Sequence, residues 1–309
     1  MKRRTSILQT AACLWAVTLM ASPAARAQVF TLTKEQLTEM TKANPFERFP
    51  DGRPKVPDSM IERAKLMSME DVWNVLPGKG YRNQYAGDWQ VLHPGMKLVG
   101  RAFTVSFLPS RADMDAEVND RSAKANNGRR MSHQFAIDML QPGDVLVVDM
   151  FGRKELGPII GDNLFYYIMK TTKIGGIIVD GALRDLEGLS EINAPAYMRS
   201  VHPSAIQGVT VSGINVPIRI GETTVMPGDL VMGDREGIYF VPPQFVEEVL
   251  NRSDETRIHD EWTKKKFDEG KYKSSEIYSS PRDPELRKEY QEYLKTKLDE
   301  IKKNRAAGK

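Results

Sequence analysis

The sequence predicts an α/β fold, and three observations support this. Short apolar runs bounded by glycine and proline recur between residues 97 and 242, which is typical of buried strands. Residues 162–173 lie between two of these runs and form a helix candidate with Asp162 at or near its start. Beyond residue 243 the chain is highly charged and spaces its apolar side chains at helical intervals. The pattern indicates a sheet packed against helices, followed by a helical C-terminal part.

The first 27 residues predict an export signal rather than part of the fold. A basic start at Lys2–Arg4 precedes an apolar run at residues 7–21, and Ala25–Ala27 form an A-x-A cleavage motif. The apolar run is shorter than the roughly 20 residues that a membrane span needs, which disfavours a retained membrane anchor. We expect cleavage after Ala27 and a periplasmic or secreted protein without a membrane anchor. The Arg3–Arg4 pair leaves both the Sec and the twin-arginine export routes open.

Removing this signal changes the charge and the thiol content of the chain. Four of the 44 basic residues and none of the 41 acidic residues lie in residues 1–27, so 40 basic and 41 acidic residues remain, a net charge of −1. This balance disfavours a nucleic-acid-binding surface, which needs clustered and unpaired Lys and Arg. The only cysteine, Cys13, also lies in the signal, which excludes disulfides, zinc–cysteine sites and cysteine nucleophiles from the mature protein.

Residues 28–90 form the predicted N-terminal arm and helix. Four prolines interrupt the polar residues 28–58, which predicts an extended lead-in. Residues 59–76 have helical apolar spacing after Ser59, a plausible N-cap.

Residues 91–245 form the predicted core domain, which contains the apolar runs 97–107, 144–150, 176–181, 209–220 and 237–242. A Pro-Gly-Asp turn starts an apolar strand twice, at residues 142–144 and 227–229, which we interpret as one common turn used twice. Residues 111–133 have little apolar content and predict a long exposed loop.

Residues 246–309 form the predicted charged helical extension. Residues 243–267 fit an amphipathic helix in which Phe245, Val249 and Trp262 are available for packing, and residues 285–303 predict a second, more solvated helix. The balanced charges of such helices usually face water and do not form a binding patch.

Most common catalytic motifs are absent from this sequence. The four histidines share no metal-ligand spacing, and no phosphate loop, Rossmann glycine pattern or G-x-S-x-G is present. Carboxylates and arginine remain, a set that suits oxygen-ligated metal chemistry on an anionic substrate. The stretch GGIIVDGALRDLEGL, residues 175–189, places Arg184 and Asp185 side by side after a buried strand. Such a pair is either a solvated turn or a site.

Several segments together resemble the RraA-like family, which includes class II 4-hydroxy-4-methyl-2-oxoglutarate aldolases and the regulators of ribonuclease E activity. Members were formerly named dimethylmenaquinone methyltransferases, although no methyl-donor motif is visible here. The segments occur in the family's order: HPGMKLVGRAFTV (93–105), QPGDVLVVD (141–149), GDNL (161–164), GGIIVDGALRD (175–185) and MPGDLVMGDREGIYFVP (226–242). The resemblance implies an RraA-like swivelling β/β/α domain with an N-terminal arm and a C-terminal helical extension.

The resemblance also implies a site. Asp185 would bind a divalent metal, Mg²⁺ or Mn²⁺, and Arg184 would bind substrate oxygens and stabilise an enolate. Backbone N–H groups of Gly161, Asp162, Asn163 and Leu164 would hold the pyruvate carboxylate at a helix N-terminus, and Asp162 would also act in catalysis. The family aldolases complete the site with a glutamate from the C-terminal helix of a neighbouring subunit, for which Glu261 and Asp260 are candidates.

The implied reaction is the cleavage of a 4-hydroxy-2-oxo acid to pyruvate, with oxaloacetate decarboxylation as a side activity, in a homotrimer or hexamer. The alternative is a non-catalytic binding or regulatory protein of the same family.

The chain departs from the family pattern in two places within the matching segments. The spacing between the Gly161 turn and Arg184 is one residue longer, and Gly188 stands where an acidic residue often lies, with Glu187 one position earlier.

Overall fold

A computed structural model describes residues 30–125, 132–155 and 157–306. The predicted signal segment lies outside the described residues. In chain order the α-helices are α1 (Lys34–Met40), α2 (Asp58–Ala64), α3 (Met69–Trp73), α4 (Ala112–Ala125), α5 (Ser132–Asp138), α6 (Asp162–Thr172), α7 (Leu186–Ser190), α8 (Val246–Asp268), α9 (Ser274–Ile277) and α10 (Pro284–Ala306). Two short 3₁₀ helices, Pro77–Lys79 and Pro243–Phe245, accompany them.

The strands form one mixed sheet and one small hairpin. In chain order they are β1 (Tyr85–Ala86), β2 (Gln90–Leu92), β3 (Leu98–Pro109), β4 (Asp144–Asp149), β5 (Ile177–Leu183), β6 (Ala196–Val201), β7 (Val209–Ile214), β8 (Ile218–Ile220), β9 (Thr223–Val225), β10 (Leu230–Gly233) and β11 (Ile238–Val241). The sheet order is β1-β11-β10-β3-β4-β5-β6-β2, with β7 also paired to the long strand β3, while β8 and β9 pair separately.

The centre of the sheet consists of the parallel strands β3, β4, β5 and β6. Their side chains alternate between two apolar clusters, as the two-residue period of a strand requires. On β4, Leu146 and Val148 face the cluster that contains the buried sides of α4 to α7, whereas Val145 and Val147 face the β8–β9 hairpin. Burial on both faces explains why these strands read as continuous apolar runs.

The N-terminal arm and the C-terminal extension pack against the same end of the sheet. Helices α2, α3 and α8 cover β10 and β11, with Ile61, Val72 and Val249 fully buried in that cluster. A small cluster around Trp262 holds α8 against α9 and α10. The predicted helices at 243–267 and 285–303 are confirmed as α8 and α10.

In the part of the chain that the structure covers, no helix combines the length and apolar character of a membrane crossing.

Three local expectations are wrong. The described part of residues 111–133 is largely helical: α4 covers residues 112–125 and buries Val118 against the sheet with Met114 packed beside it, four residues apart on one helical face. The expected helix over 59–76 is two short helices, since Ser68 makes a capping box that starts α3. The extended lead-in contains α1, which Thr33 caps with Gln36. In each case side-chain capping or packing outweighed composition.

Helix α6 begins where the sequence predicts, and its start positions the candidate site. Gly161 is the N-cap in an extended conformation, and Asp162 lies in the first turn, where a carboxylate suits the positive end of the helix. Phe165, Ile168 and Thr172 are buried at spacings of three and four residues, which fixes α6 to the sheet. The N-terminus of α6 therefore stays at the carboxyl end of the parallel strands.

Candidate functional site

Arg184 and Asp185 connect β5 to α7 at the carboxyl end of the parallel strands. The Arg184 N–H donates to the carbonyl of Ile160 at 3.2 Å, which joins this connection to the segment before α6. Asp185 is the N-cap of α7 and has φ +59°, a left-handed conformation that aspartate tolerates better than most residues. The two side chains are 38% and 41% exposed, so both are open to a ligand.

Gly161 lets the Asp185 carboxylate approach the start of α6. A Cβ atom at residue 161 would collide with Asp185 Oδ2 and would lie 3.3 Å from Arg184 Nε. The guanidinium Nε of Arg184 is 3.7 Å from Asp185 Oδ2. The glycine at the N-cap of α6 thus creates the space in which the arginine–aspartate pair lies.

A second glycine gives Asp162 the same kind of access to α7. A Cβ at Gly188 would lie 2.8 Å from Asp162 Cβ and 2.9 Å from its Oδ2. The space above residue 188 is therefore filled by a carboxylate from α6. This accounts for the Gly188 departure, because an acidic side chain at residue 188 would collide with Asp162.

The structure brings the four predicted backbone amides together at the N-terminus of α6. The first N–H groups of a helix have no helical carbonyl to bond, which makes them available to an anion. One of them is already bonded, since Asn163 N–H donates to Asp162 Oδ1 at 2.7 Å. The amides of Gly161, Asp162 and Leu164 are the members of the set that remain candidates for a substrate carboxylate.

The oxygen atoms at this site suit a hard divalent cation. Mg²⁺ keeps several waters and commonly needs only one or two carboxylates from the protein. Asp185 supplies one exposed carboxylate, and Asp162 lies across the α6–α7 junction from it. Among the described residues no group of three or more His, Cys, Asp or Glu side chains is arranged to hold a metal by itself. The residues present therefore fit a largely hydrated Mg²⁺ or Mn²⁺ on Asp185, not a fully protein-ligated ion.

Glu261 lies on α8, away from the Arg184–Asp185 pair within one chain. Its carboxylate accepts a hydrogen bond from the Tyr293 hydroxyl at 2.6 Å and lies 3.3 Å from Lys297 Nζ. The hydrogen bond from Tyr293 lowers the pKa of Glu261, and Lys297 lowers it further. Its neighbour Asp260 faces His259 at 3.7 Å. A single chain does not bring either acid to the site.

Sequence reasoning missed the ion pair that supports the end of β5. Asp180 is 2% exposed and accepts from Arg199 Nε at 2.6 Å and from Gly221 N–H at 3.3 Å. Arg199 stacks on the Trp89 ring, with its guanidinium carbon 3.7 Å from the ring centre. An aspartate within an apolar strand signals a buried cationic partner, but the sequence does not identify Arg199 on β6. This pair fixes β5 four residues before Arg184.

The site is an open surface in the isolated subunit. Arg184 and Asp185 are each more than a third exposed, and neither lines the four clefts of about 410 to 610 Å³ found elsewhere on the described part of the chain.

Comparison with known proteins identifies the family. The profile described as RraA-like (Aldolase/RraA) matches residues 69–240, more than half of the chain. The chain belongs to the RraA-like family. This confirms the predicted family and the predicted fold class. Family membership establishes the fold of this chain. It does not establish the activity, because members of one fold differ in function.

Individual relatives agree with this placement. A protein of Halalkalibacterium halodurans named "Putative 4-hydroxy-4-methyl-2-oxoglutarate aldolase" is 31% identical over 141 residues, 46% of this chain and 66% of that protein. The crystal structure of Streptomyces coelicolor RraAS2, titled an unusual member of the RNase ES inhibitor RraA protein family, has a TM-score of 0.58 and 26% identity and covers 71% of this chain and 99% of that one. The matched region spans less than two thirds of the curated relatives' length.

Proposed function

We propose that the protein is a divalent-metal-dependent lyase of the class II pyruvate aldolase type. It cleaves a 4-hydroxy-2-oxo acid to pyruvate and decarboxylates oxaloacetate as a side activity. The observation that carries this proposal is the position of the Asp185 carboxylate and the Arg184 guanidinium over Gly161, beside the amides that start α6. Relatives named as aldolases support the same reaction class.

Each group has a distinct role in this proposal. Amides at the start of α6 bind the substrate carboxylate, because a helix N-terminus attracts an anion. Arg184 contacts the 2-oxo oxygen and stabilises the negative charge that develops there as the C3–C4 bond breaks. A divalent metal on Asp185, when bound, would supply Lewis acidity for the same oxygen. Asp162 accepts the proton that leaves the 4-hydroxyl and returns it to C3 of the enolate, which yields pyruvate and regenerates the Asp162 carboxylate. Oxaloacetate forms the same enolate when it loses CO₂.

We propose that the working unit is a homotrimer or hexamer with the site between subunits. The open surface around Arg184 and Asp185 supports this, since catalysis of this type gains from excluding water. Glu261 of a neighbouring subunit, or Asp260 beside it, is proposed to complete the site.

Export is proposed from the first 27 residues alone. Mass spectrometry of the periplasmic fraction should find a mature N-terminus at Gln28, and Ellman's reagent should detect no thiol. Full-length chain confined to the cytoplasm would contradict this proposal.

The test of the activity uses the purified mature protein. A panel of 4-hydroxy-2-oxo acids and oxaloacetate is incubated with Mg²⁺, and pyruvate is followed through lactate dehydrogenase. We expect pyruvate release that EDTA abolishes and added Mg²⁺ or Mn²⁺ restores. No pyruvate from any substrate, in protein shown to bind metal, would contradict the lyase proposal.

A second candidate is a non-catalytic binding or regulatory protein. The similarity to Streptomyces coelicolor RraAS2, described as an unusual member of the RNase ES inhibitor RraA protein family, favours it. The presence of both Arg184 and Asp185 favours catalysis, as does the fit of Asp185 to a hydrated cation. The substrate panel distinguishes the two candidates.

A further inference from the structure

A cleft that shares no lining residue with the Arg184–Asp185 site lies between the N-terminal arm and the core. Its volume is about 610 Å³, within the range of small-molecule sites. Residues 40–44 of the arm, residues 80–84 and residues 242–244 form its walls, together with Glu222, Thr224, Met226 and Asp229. Residues 40–44 and 242–244 fall outside the region that the family profile matches, so this chain builds the cleft from its own extension against the family core.

Met226 and Asp229, which flank the Pro-Gly of the second Pro-Gly-Asp turn, both line this cleft. The two turns have the same internal bonding. Asp144 Oδ2 accepts from Gln141 N–H at 2.8 Å, and Asp229 Oδ2 accepts from Met226 N–H at 2.9 Å. Each aspartate N–H also donates back to the carbonyl three residues earlier, at 3.1 Å in both turns. The two carboxylates are therefore held in equivalent local positions.

The two turns differ in what faces the carboxylate. Asp144 receives Nη1 and Nη2 of the buried Arg53 at 2.6 and 2.9 Å, a bidentate pair. Asp229 is only 1% exposed, and its Oδ1 has no hydrogen-bond partner among the described residues. A buried carboxylate with one oxygen unbonded and no cationic partner is costly to ionise. Burial accordingly raises the pKa of Asp229 to about 7.

Other charged groups of the cleft indicate the shape of a ligand. Glu222 and Arg82 are both exposed and line the cleft, and neither has an ion-pair partner in the described ranges. Lys42, which also lines the cleft, is paired with Glu39 at 2.8 Å. A ligand that places a cation on Asp229 and Glu222 and a carboxylate on Arg82 would pair all three. Asn44 and Gln84 add amide groups to the walls.

We propose that this cleft binds a free basic amino acid, with its guanidinium on Asp229 and its carboxylate on Arg82. The Arg53–Asp144 pair shows, in the same chain, that a guanidinium fits the carboxylate of this turn. The site is separate from the lyase site and does not depend on the proposed reaction.

Isothermal titration with L-arginine and L-citrulline tests the proposal on the unaltered protein. Citrulline keeps the length and the carboxylate of arginine but has a neutral urea in place of the guanidinium. Because loss of one partner of a buried charge pair costs about 30-fold or more in affinity, we expect citrulline to bind at least that much more weakly. Equal affinity for the two compounds, or no binding of arginine, would overturn the proposal.

Four variants locate the binding site. Asp229→Asn keeps a carbonyl oxygen for the Met226 N–H and removes the charge, so it should fold and lose arginine binding by the same factor. Glu285→Gln changes an exposed acid on α10, makes the same charge change and should bind arginine like the wild type.

Arg82→Gln should weaken the binding of arginine but not the binding of agmatine, which lacks the carboxylate. If a folded Asp229→Asn variant binds arginine with wild-type affinity, the proposed site is refuted. Unchanged arginine binding by Asp185→Asn would show that the cleft is independent of the lyase site.

Discussion

The Asp185 carboxylate lies directly against the Cα of Gly161, where any side chain at residue 161 would have to be. The converse relation holds between Asp162 and Gly188. The first turns of α6 and α7 therefore each carry an aspartate, and each aspartate lies over a glycine of the other helix. The two carboxylates and the free amides of α6 meet at one junction because both helices leave out a side chain there.

The first prediction concerns Asp185 as a metal ligand. Asp185→Asn removes the charged oxygen donor and should lower Mn²⁺ affinity steeply. Loss of even an outer-sphere partner of a metal commonly costs about 10- to 100-fold, so loss of the ligand should cost at least as much. Calorimetric titration of Mn²⁺ measures the effect. Glu187→Gln, a neighbouring exposed acid, is the matched control. If a well-folded Asp185→Asn variant binds Mn²⁺ like the wild type, Asp185 is not the ligand.

The second prediction separates Arg184 from its neighbour. Arg184→Lys keeps the positive charge but loses the planar fork that contacts two oxygens at once. Loss of a donor to developing oxyanion charge commonly lowers kcat by about 100-fold or more. Mn²⁺ affinity should remain close to that of the wild type. A fall in melting temperature with no specific loss of kcat would instead indicate a structural role at the turn.

The third prediction uses the glycine at the N-cap of α6. Gly161→Ala adds a Cβ that collides with Asp185 Oδ2, and it should therefore lower both Mn²⁺ affinity and turnover. Gly78→Ala is the matched control, because no atom lies within 4 Å of a Cβ at residue 78. Both variants are compared by metal titration and the pyruvate assay. Equal behaviour of the two would show that the close approach has no functional effect.

The fourth prediction tests a site shared between subunits. Asp185→Asn and Glu261→Gln proteins should each be inactive, and mixing them with subunit exchange should restore activity. Random exchange in a closed ring gives about a quarter of the sites two intact contributors, and this sets the expected recovery. Mixing Asp185→Asn with Arg184→Lys should restore nothing comparable, because both changes affect the same half of the site. No recovery in the first mixture would exclude a contribution of Glu261 from a neighbour.

The fifth prediction concerns pH and the buried Asp229. Its pKa is raised from 3.8 to about 7, so the folded chain binds this proton more tightly than the unfolded chain does. The contribution of Asp229 to stability is therefore most unfavourable above pH 7 and improves as the pH falls from about 7 to about 4. Asp229→Asn has no such charge. Its melting temperature should exceed that of the wild type most clearly at pH 8, and by less at pH 5.5. A difference that does not change with pH would contradict the raised pKa.

Periodicity predicted the regular parts of the fold well. Strands β3, β4 and β5 and helices α6, α8 and α10 follow apolar spacing that burial enforces, so their positions agree with the predicted ranges within a few residues. The strands β1, β2, β6 and β9 were not predicted; β6 has six residues, and the other three have only two or three. A strand of two or three residues has too little pattern to recognise, and its existence depends on the partner strand.

The site was predicted in its members but not in its arrangement. The motifs placed Arg184 and Asp185 after a buried strand and Gly161 before a helix. They did not show that Asp162 Oδ1 accepts from the Asn163 N–H, which depends on the rotamer of Asp162 within the first turn of α6. They also did not show that Asp162 fills the space above Gly188, since that contact depends on how α6 and α7 face each other. The Arg199 partner of Asp180 was missed for the same reason.

The sequence by itself determined the family, the order of the core strands along the chain and the identity of the arginine–aspartate pair, because local motifs and apolar periods specify these directly. Only the tertiary structure decided which of two similar carboxylates has a cationic partner. The sequence makes Asp144 and Asp229 equivalent, each following Pro-Gly at the start of an apolar strand. Packing of the N-terminal arm places Arg53 on Asp144 and leaves a cleft beside Asp229. Such pairing depends on residues 91 positions apart, a separation over which neither propensity nor period carries information.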